Sequence, residues 1–179
     1  MVIALAGRRI DASDAATPRF PVENTEVASR RIRELLEAQG ATALVSSAAC
    51  GADLLALVEA GALGIRRRVV LPFDRNRFRE ISVVDRPGEW GRMYDGVLDE
   101  VSSNGDVVTL NGKTDDDSAY AAANHAILDE ADALARETGQ PVSAALVWDG
   151  ESRGSDDLTG AFGDAARQRG LRVFDVLTI

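Results

Sequence analysis

The feature that most constrains this chain is an alternation of short apolar runs with longer helical patterns, repeated from end to end. Val2-Ile3-Ala4-Leu5-Ala6 is a compact apolar run closed by Gly7. Such runs are typical of strands buried on both faces. Further strands are expected over 42–47, 68–71, 106–110, 142–148 and 173–177. Between them fall helical patterns. One starts at Asn24 or Thr25, either of which suits a cap, and runs to 39, where Gly40 stops it. Others cover 51–64, 90–101, 118–137 and 158–169. The turn at 111–117 leads into the fourth of these with acidic residues that match a helix dipole. Residues 73–92 carry four arginines before Pro87 and read as a long ordered loop holding a short piece of structure. Six strands alternating with helices predict an α/β fold: an open, mostly parallel sheet covered on both sides, as one domain over 1–179.

Composition removes several functions. The formal net charge is -9, an unfavourable balance for gripping duplex nucleic acid. A local basic pocket for a small phosphate remains compatible with it. One cysteine precludes an intramolecular disulfide and suits a reducing, cytoplasmic setting. One cysteine and one histidine preclude a Cys/His zinc site, and no metal ligand set is expected. No apolar run reaches the roughly 18 residues of a membrane span, so no membrane partner is expected.

In such a fold, ligands bind beyond the carboxyl ends of the strands. After the first strand, Gly7 admits a close approach of backbone to ligand, and Arg8 or Arg9 offers a planar donor fork for phosphate. After the second, Ser46-Ser47-Ala48-Ala49-Cys50-Gly51-Ala52-Asp53 runs small residues into a helix start, the requirement for an anion site on free amides. Asp53 either caps that helix or holds a ribose hydroxyl. Cys50 either has a lowered pKa near the positive helix end or fills the turn. After the third, Phe73 and the arginines around Phe78 suit a base and a phosphate. After the fifth come Trp148, Asp149, Gly150 and the stretch Ser155-Asp156-Asp157-Leu158-Thr159-Gly160. Trp148 stacks on a base or covers the sheet, and Thr159 donates to phosphate or caps the helix. The adjacent aspartates suit ribose hydroxyls or a bridging Mg2+. Tyr120 and Asn124 share one helix face.

Taken in order, these segments resemble the SLOG superfamily, the Rossmann-like group of DprA/SMF proteins and LOG phosphoribohydrolases. The resemblance is carried by Gly7-Arg8-Arg9, SSAACGADLLALVEAGALG at 46–64, VVLPF at 69–73, AYAAANHAIL at 119–128, VWDG at 147–150 and AARQRGLRV. It implies a Rossmann-like three-layer sandwich, a nucleotide or nucleotide-derived ligand at 47–53 and beyond VWDG, and a homodimer. Family members often have GHR where this chain has Gly7-Arg8-Arg9, and GGT where it has Asp157-Leu158-Thr159. The LOG signature PGGxGTxxE is absent, and no glutamate follows Thr159 at the matching spacing. The expected function is therefore ligand sensing, with no required cofactor. The alternatives are a LOG-like cleavage of the N-glycosidic bond in a nucleoside monophosphate, and an interaction domain without a small ligand. For the cleavage, Asp149 and Asp156 are the candidate catalytic carboxylates, with Asp53 a third.

Overall fold

The structure, a computed structural model, describes residues 1–112, 116–154 and 156–179. Part of the turn at 111–117 and Ser155 of the loop before the last helix lie outside the described residues. The strands are β1 (Val2–Gly7), β2 (Ala43–Ser46), β3 (Arg66–Leu71), β4 (Val107–Thr109), β5 (Val142–Trp148) and β6 (Val173–Leu177). The helices are α1 (Thr25–Ala38), α2 (Ala52–Ala62), α3 (Arg75–Ser82), α4 (Trp90–Ser103), α5 (Asp117–Thr138) and α6 (Leu158–Gln168).

All six strands pair in parallel, in the order β4-β3-β2-β1-β5-β6. A parallel ladder needs a long crossover between neighbours, and the intervening helices supply it. The period of two along each strand sends successive side chains to opposite faces. Ile3 and Leu5 of β1 therefore join the core under α1, α2 and α4, while Val2, Ala4 and Ala6 join the core under α5 and α6. The result is a Rossmann-like three-layer α/β sandwich.

Helix faces follow from the same logic. Ala28, Ile32 and Leu36 of α1 recur every four residues and are fully buried. Neither expected cap of α1 acts as one. A 3₁₀ turn over Val22–Asn24 precedes the helix, and the Asn24 amide instead donates to the Thr178 carbonyl at 2.8 Å.

The stretch read as an arginine-rich loop contains α3. Its helical period was masked by charge, but Asp74 caps it by accepting from the N–H groups of Asn76 and Arg77. Phe78 anchors it, 1% exposed, with its ring 5.9 Å from Phe73 and 6.2 Å from Tyr94.

The chain order reverses between β1 and β5: the strands after β1 build out to one side, and β5 and β6 to the other. Loops leaving the carboxyl ends of these two strands diverge, and a crevice opens between them.

Candidate functional site

A cleft of about 520 Å³ occupies that crevice. Its floor comes from Gly7, Arg8, Arg9, Ser47 and Asp53 at the ends of β1 and β2 and the start of α2. One wall is α5, through Tyr120, Ala123, Asn124 and Ile127. The loop after β1 contributes Asp11, Thr17 and Arg19, and Arg86 and exposed Arg153 also line the cleft.

The amides at the start of α2 are not an open cradle. The Ala49 N–H donates to Asp53 Oδ2 at 3.2 Å, Cys50 N–H to the Ser82 carbonyl at 3.0 Å, and Ala52 N–H to the Arg8 carbonyl at 3.1 Å. These amides are thus met by the helix's own first-turn carboxylate, by the Ser82 carbonyl at the end of α3 and by the Arg8 carbonyl. Ala48, Cys50 and Gly51 are buried and do not line the cleft. Gly51 crosses against Arg9 in an antiparallel bridge with φ 102°, and a Cβ there would stand 2.8 Å from the Arg8 carbonyl oxygen. The Cys50 thiol is pushed up by burial, more than the neighbouring Arg9 pulls it down, so of its two expected roles it takes that of a buried residue filling the turn.

The start of α6 is filled in the same way. Asp157, 2% exposed, accepts from the N–H groups of Thr159, Gly160 and Arg153. Arg8 grips the same carboxylate with both terminal nitrogens, at 2.5 and 2.8 Å, and donates from Nε to Asp149 at 2.9 Å. Burial alone would raise the Asp157 pKa, but Arg8 and the backbone donors hold it well below the usual carboxylate range. Burial likewise opposes the charge on Arg8, and the hydrogen bonds from Asp157 and Asp149 overcome it, leaving its pKa above the ordinary value.

Arg19 closes the network by pairing with Asp149. Asp149 is thereby held between two arginines, with its side chain only 6% exposed and outside the cleft lining. Trp148 also lies outside the lining: Arg8 sits 5.7 Å over its ring, and its indole N–H donates to Asp175. Phe73 is 2% exposed and Gly150 lies on the outer surface, so neither forms a wall. Of the ligand-binding residues expected from sequence, Gly7, Arg8, Arg9, Ser47, Asp53, Tyr120 and Thr159 meet at the cleft.

Asp53 is the unusual group of this set. It is 7% exposed, its Oδ2 accepts from the Ala49 N–H, and the Ser46 hydroxyl and Gly7 N–H face the same carboxyl. Burial pushes its carboxyl up to about 7, against the Ala49 N–H and the nearby Arg9 charge that favour ionisation. Of the three carboxylates proposed from sequence as catalysts, only Asp53 lines the cleft. Asp156 is exposed, and Asp157, its neighbour in the pair expected to suit Mg2+ or ribose, is spent on Arg8 and the helix start. Among the described residues, no cluster of three or more His, Cys, Asp or Glu is placed to hold a metal ion.

Thr17, Arg19, Arg86 and Arg153 line the cleft without having been expected there from sequence. Topology points to the loop after β1, but no periodicity shows that it folds back. It does so through Asp11, whose Oδ2 accepts from the N–H groups of Arg19 and Phe20, and through fully buried Phe20.

Compared with known proteins, the chain matches no protein-family model and no curated protein. Among the described residues, no helix is long and apolar enough to cross a membrane.

Proposed function

We propose that this protein binds a nucleotide-derived small molecule in the cleft between the β1 and β5 loops. The observation that carries the reading is the cleft itself, at the switch point of the sheet, lined by α5, by five arginines and by the buried Asp53 carboxyl. Its volume falls within the roughly 300–1,000 Å³ range of small-molecule sites. Tyr120, half-buried and backed by buried Ala123 and Ile127, offers a ring for a base.

Four of the five lining arginines are committed to aspartates: Arg8 to Asp149 and Asp157, Arg19 to Asp149, and Arg9 and Arg86 to Asp85. Among the described residues, the Arg153 guanidinium makes no ion pair or hydrogen bond. One uncommitted guanidinium suits a single phosphate better than a polyphosphate. With the helix starts already filled, phosphate is assigned to Arg153 and not to the amides before α2.

Titration calorimetry with AMP, GMP, CMP and UMP, their diphosphates and their cyclic monophosphates tests the reading. Heat is expected with monophosphates and is expected to weaken in Arg153→Ala. No heat with any member of the panel overturns it.

The Asp53 carboxyl favours a second reading, N-glycosidic cleavage, because an acid titrating near neutrality can deliver a proton to a leaving base. Free base released from a bound monophosphate, and lost in Asp53→Asn, would establish turnover; binding without release leaves the sensing role.

A further inference from the structure

The arginines that line the cleft are not all held alike. Arg8 is locked onto Asp149 and Asp157, whose side chains are almost fully buried. Arg9 and Arg86 instead share Asp85, and the side chains of these three are between 28% and 31% exposed. Oδ1 of the Asp85 carboxylate meets Arg9 Nη2, and Oδ2 accepts from Arg86 Nη1 at 2.9 Å. The charges of all three act on the Cys50 thiol, so they form one cluster. Asp85 itself does not line the cleft. It lies on the connection between α3 and α4, outside either helix.

We infer that Arg9 and Arg86 form a second anion subsite of the cleft, and that Asp85 fills it from within and so restricts the ligand to one phosphate. This rests on the nucleotide reading above, in which Arg153 takes the first phosphate. Carboxylate and phosphate both present paired oxygens to guanidinium forks, so arginines that hold the one are suited to the other. Asp85 spans two guanidinium groups with one oxygen on each, the span a phosphate would make. Neither arginine relies on Asp85 for its place. Arg86 Nε donates to the Ile10 carbonyl at 3.2 Å, and the Arg9 backbone is bridged to Gly51.

The contrast with Arg8 decides which pair can exchange. Water reaches Asp85 and screens its attraction to both arginines, so this contact is weak beside the buried one at Arg8. A second phosphate must still displace Asp85 or lie against its negative charge. A ligand with one phosphate meets neither cost. Asp85 is therefore a specificity-determining residue that acts by exclusion and touches no ligand. A nucleoside 5′-diphosphate and a nucleoside 3′,5′-bisphosphate both supply the second phosphate.

The test is calorimetry on the full chain with AMP, GMP, CMP and UMP, their 5′-diphosphates and the corresponding 3′,5′-bisphosphates. The proteins compared are the parent, Asp85→Asn, and Asp85→Asn combined with Arg86→Ala. In Asp85→Asn a two-phosphate ligand is expected to bind about tenfold tighter than to the parent, the worth of one charge-assisted hydrogen bond. Monophosphates are expected to change by less than about threefold. A gain with diphosphates alone places the second phosphate beside the first, and a gain with bisphosphates alone places it across the ribose. Adding Arg86→Ala is expected to abolish the gain. Ligands are compared within one protein, so a change in the folded fraction cancels. No gain with any two-phosphate ligand overturns the subsite, as does an equal gain with monophosphates or a gain that survives Arg86→Ala. Each of these leaves the nucleotide reading standing. No heat with any ligand in any of the proteins overturns both.

Discussion

Replacing Arg8 with Met tests whether the ion-pair network between β1, β5 and α6 acts as one unit. Arg8 and Asp157 have side-chain exposures of 3% and 1%, so water screens their attraction little. Removing one partner of a buried pair costs about 3–5 kcal/mol, because the other charge stays buried without it. Two features place the expected cost near the lower end. Asp157 keeps the N–H groups of Thr159, Gly160 and Arg153, and Asp149 keeps Arg19. A loss of about 3 kcal/mol corresponds to a drop of about 6–12 °C in Tm for a chain of this size.

Asp157→Asn is expected to cost about 2–3 kcal/mol, since an amide NH2 replaces an acceptor opposite the guanidinium. The double variant is expected to cost less than the two single changes together, by at least about 1.5 kcal/mol, because neither charge is then stranded. Urea unfolding at pH 7 with all four proteins measures this coupling. The sign with pH follows from the depressed Asp157 pKa. Its contribution is fully present above the unfolded carboxylate value of about 3.9 and is lost as pH falls below it. The gap between the parent and Arg8→Met should therefore narrow on acidification below about pH 4. Additive costs, within about 0.5 kcal/mol, together with a gap that ignores pH, would refute the reasoning.

Two further predictions concern the cleft floor. Asp53 binds its proton more tightly in the folded state than in the unfolded one, so its contribution to stability falls as pH rises from about 4 to 7. Asp53→Asn is expected to be more stabilising at pH 8 than at pH 5, by up to about 2.5 kcal/mol, in paired urea melts; identical pH slopes would count against a buried, titrating carboxyl. Gly51→Ala is expected to cost more than about 2 kcal/mol, because φ 102° is strained for any L side chain and its Cβ would meet the Arg8 carbonyl and Ile10 nitrogen at 2.8 Å. A thermal melt of that variant within about 2 °C of the parent would show that the bridge at Arg9 relaxes freely.

The layered architecture was legible because it rests on local patterns. The apolar runs of β1 and β5 and the four-residue recurrence on α1 each signal an element without knowledge of its partners. The acidic caps Asp74, Asp116 and Asp157 were readable in principle, though α3 hid behind its arginines. Even the general location of the cleft followed from alternation, since a reversal of strand order opens a crevice wherever it falls.

What the linear chain determined, then, is the list of elements and the end of the sheet where chemistry gathers. What only the tertiary structure decided is which polar groups are already satisfied. Asp53 and Asp157 each turn back onto a helix start and fill the very positions that small residues seemed to leave open for an outside anion. Arg8 is consumed by partners 141 and 149 positions away, while its neighbour Arg9 turns to Asp85. Hydrogen-bond satisfaction is a pairing across the whole fold, and a local pattern carries no information about which distant partner arrives first.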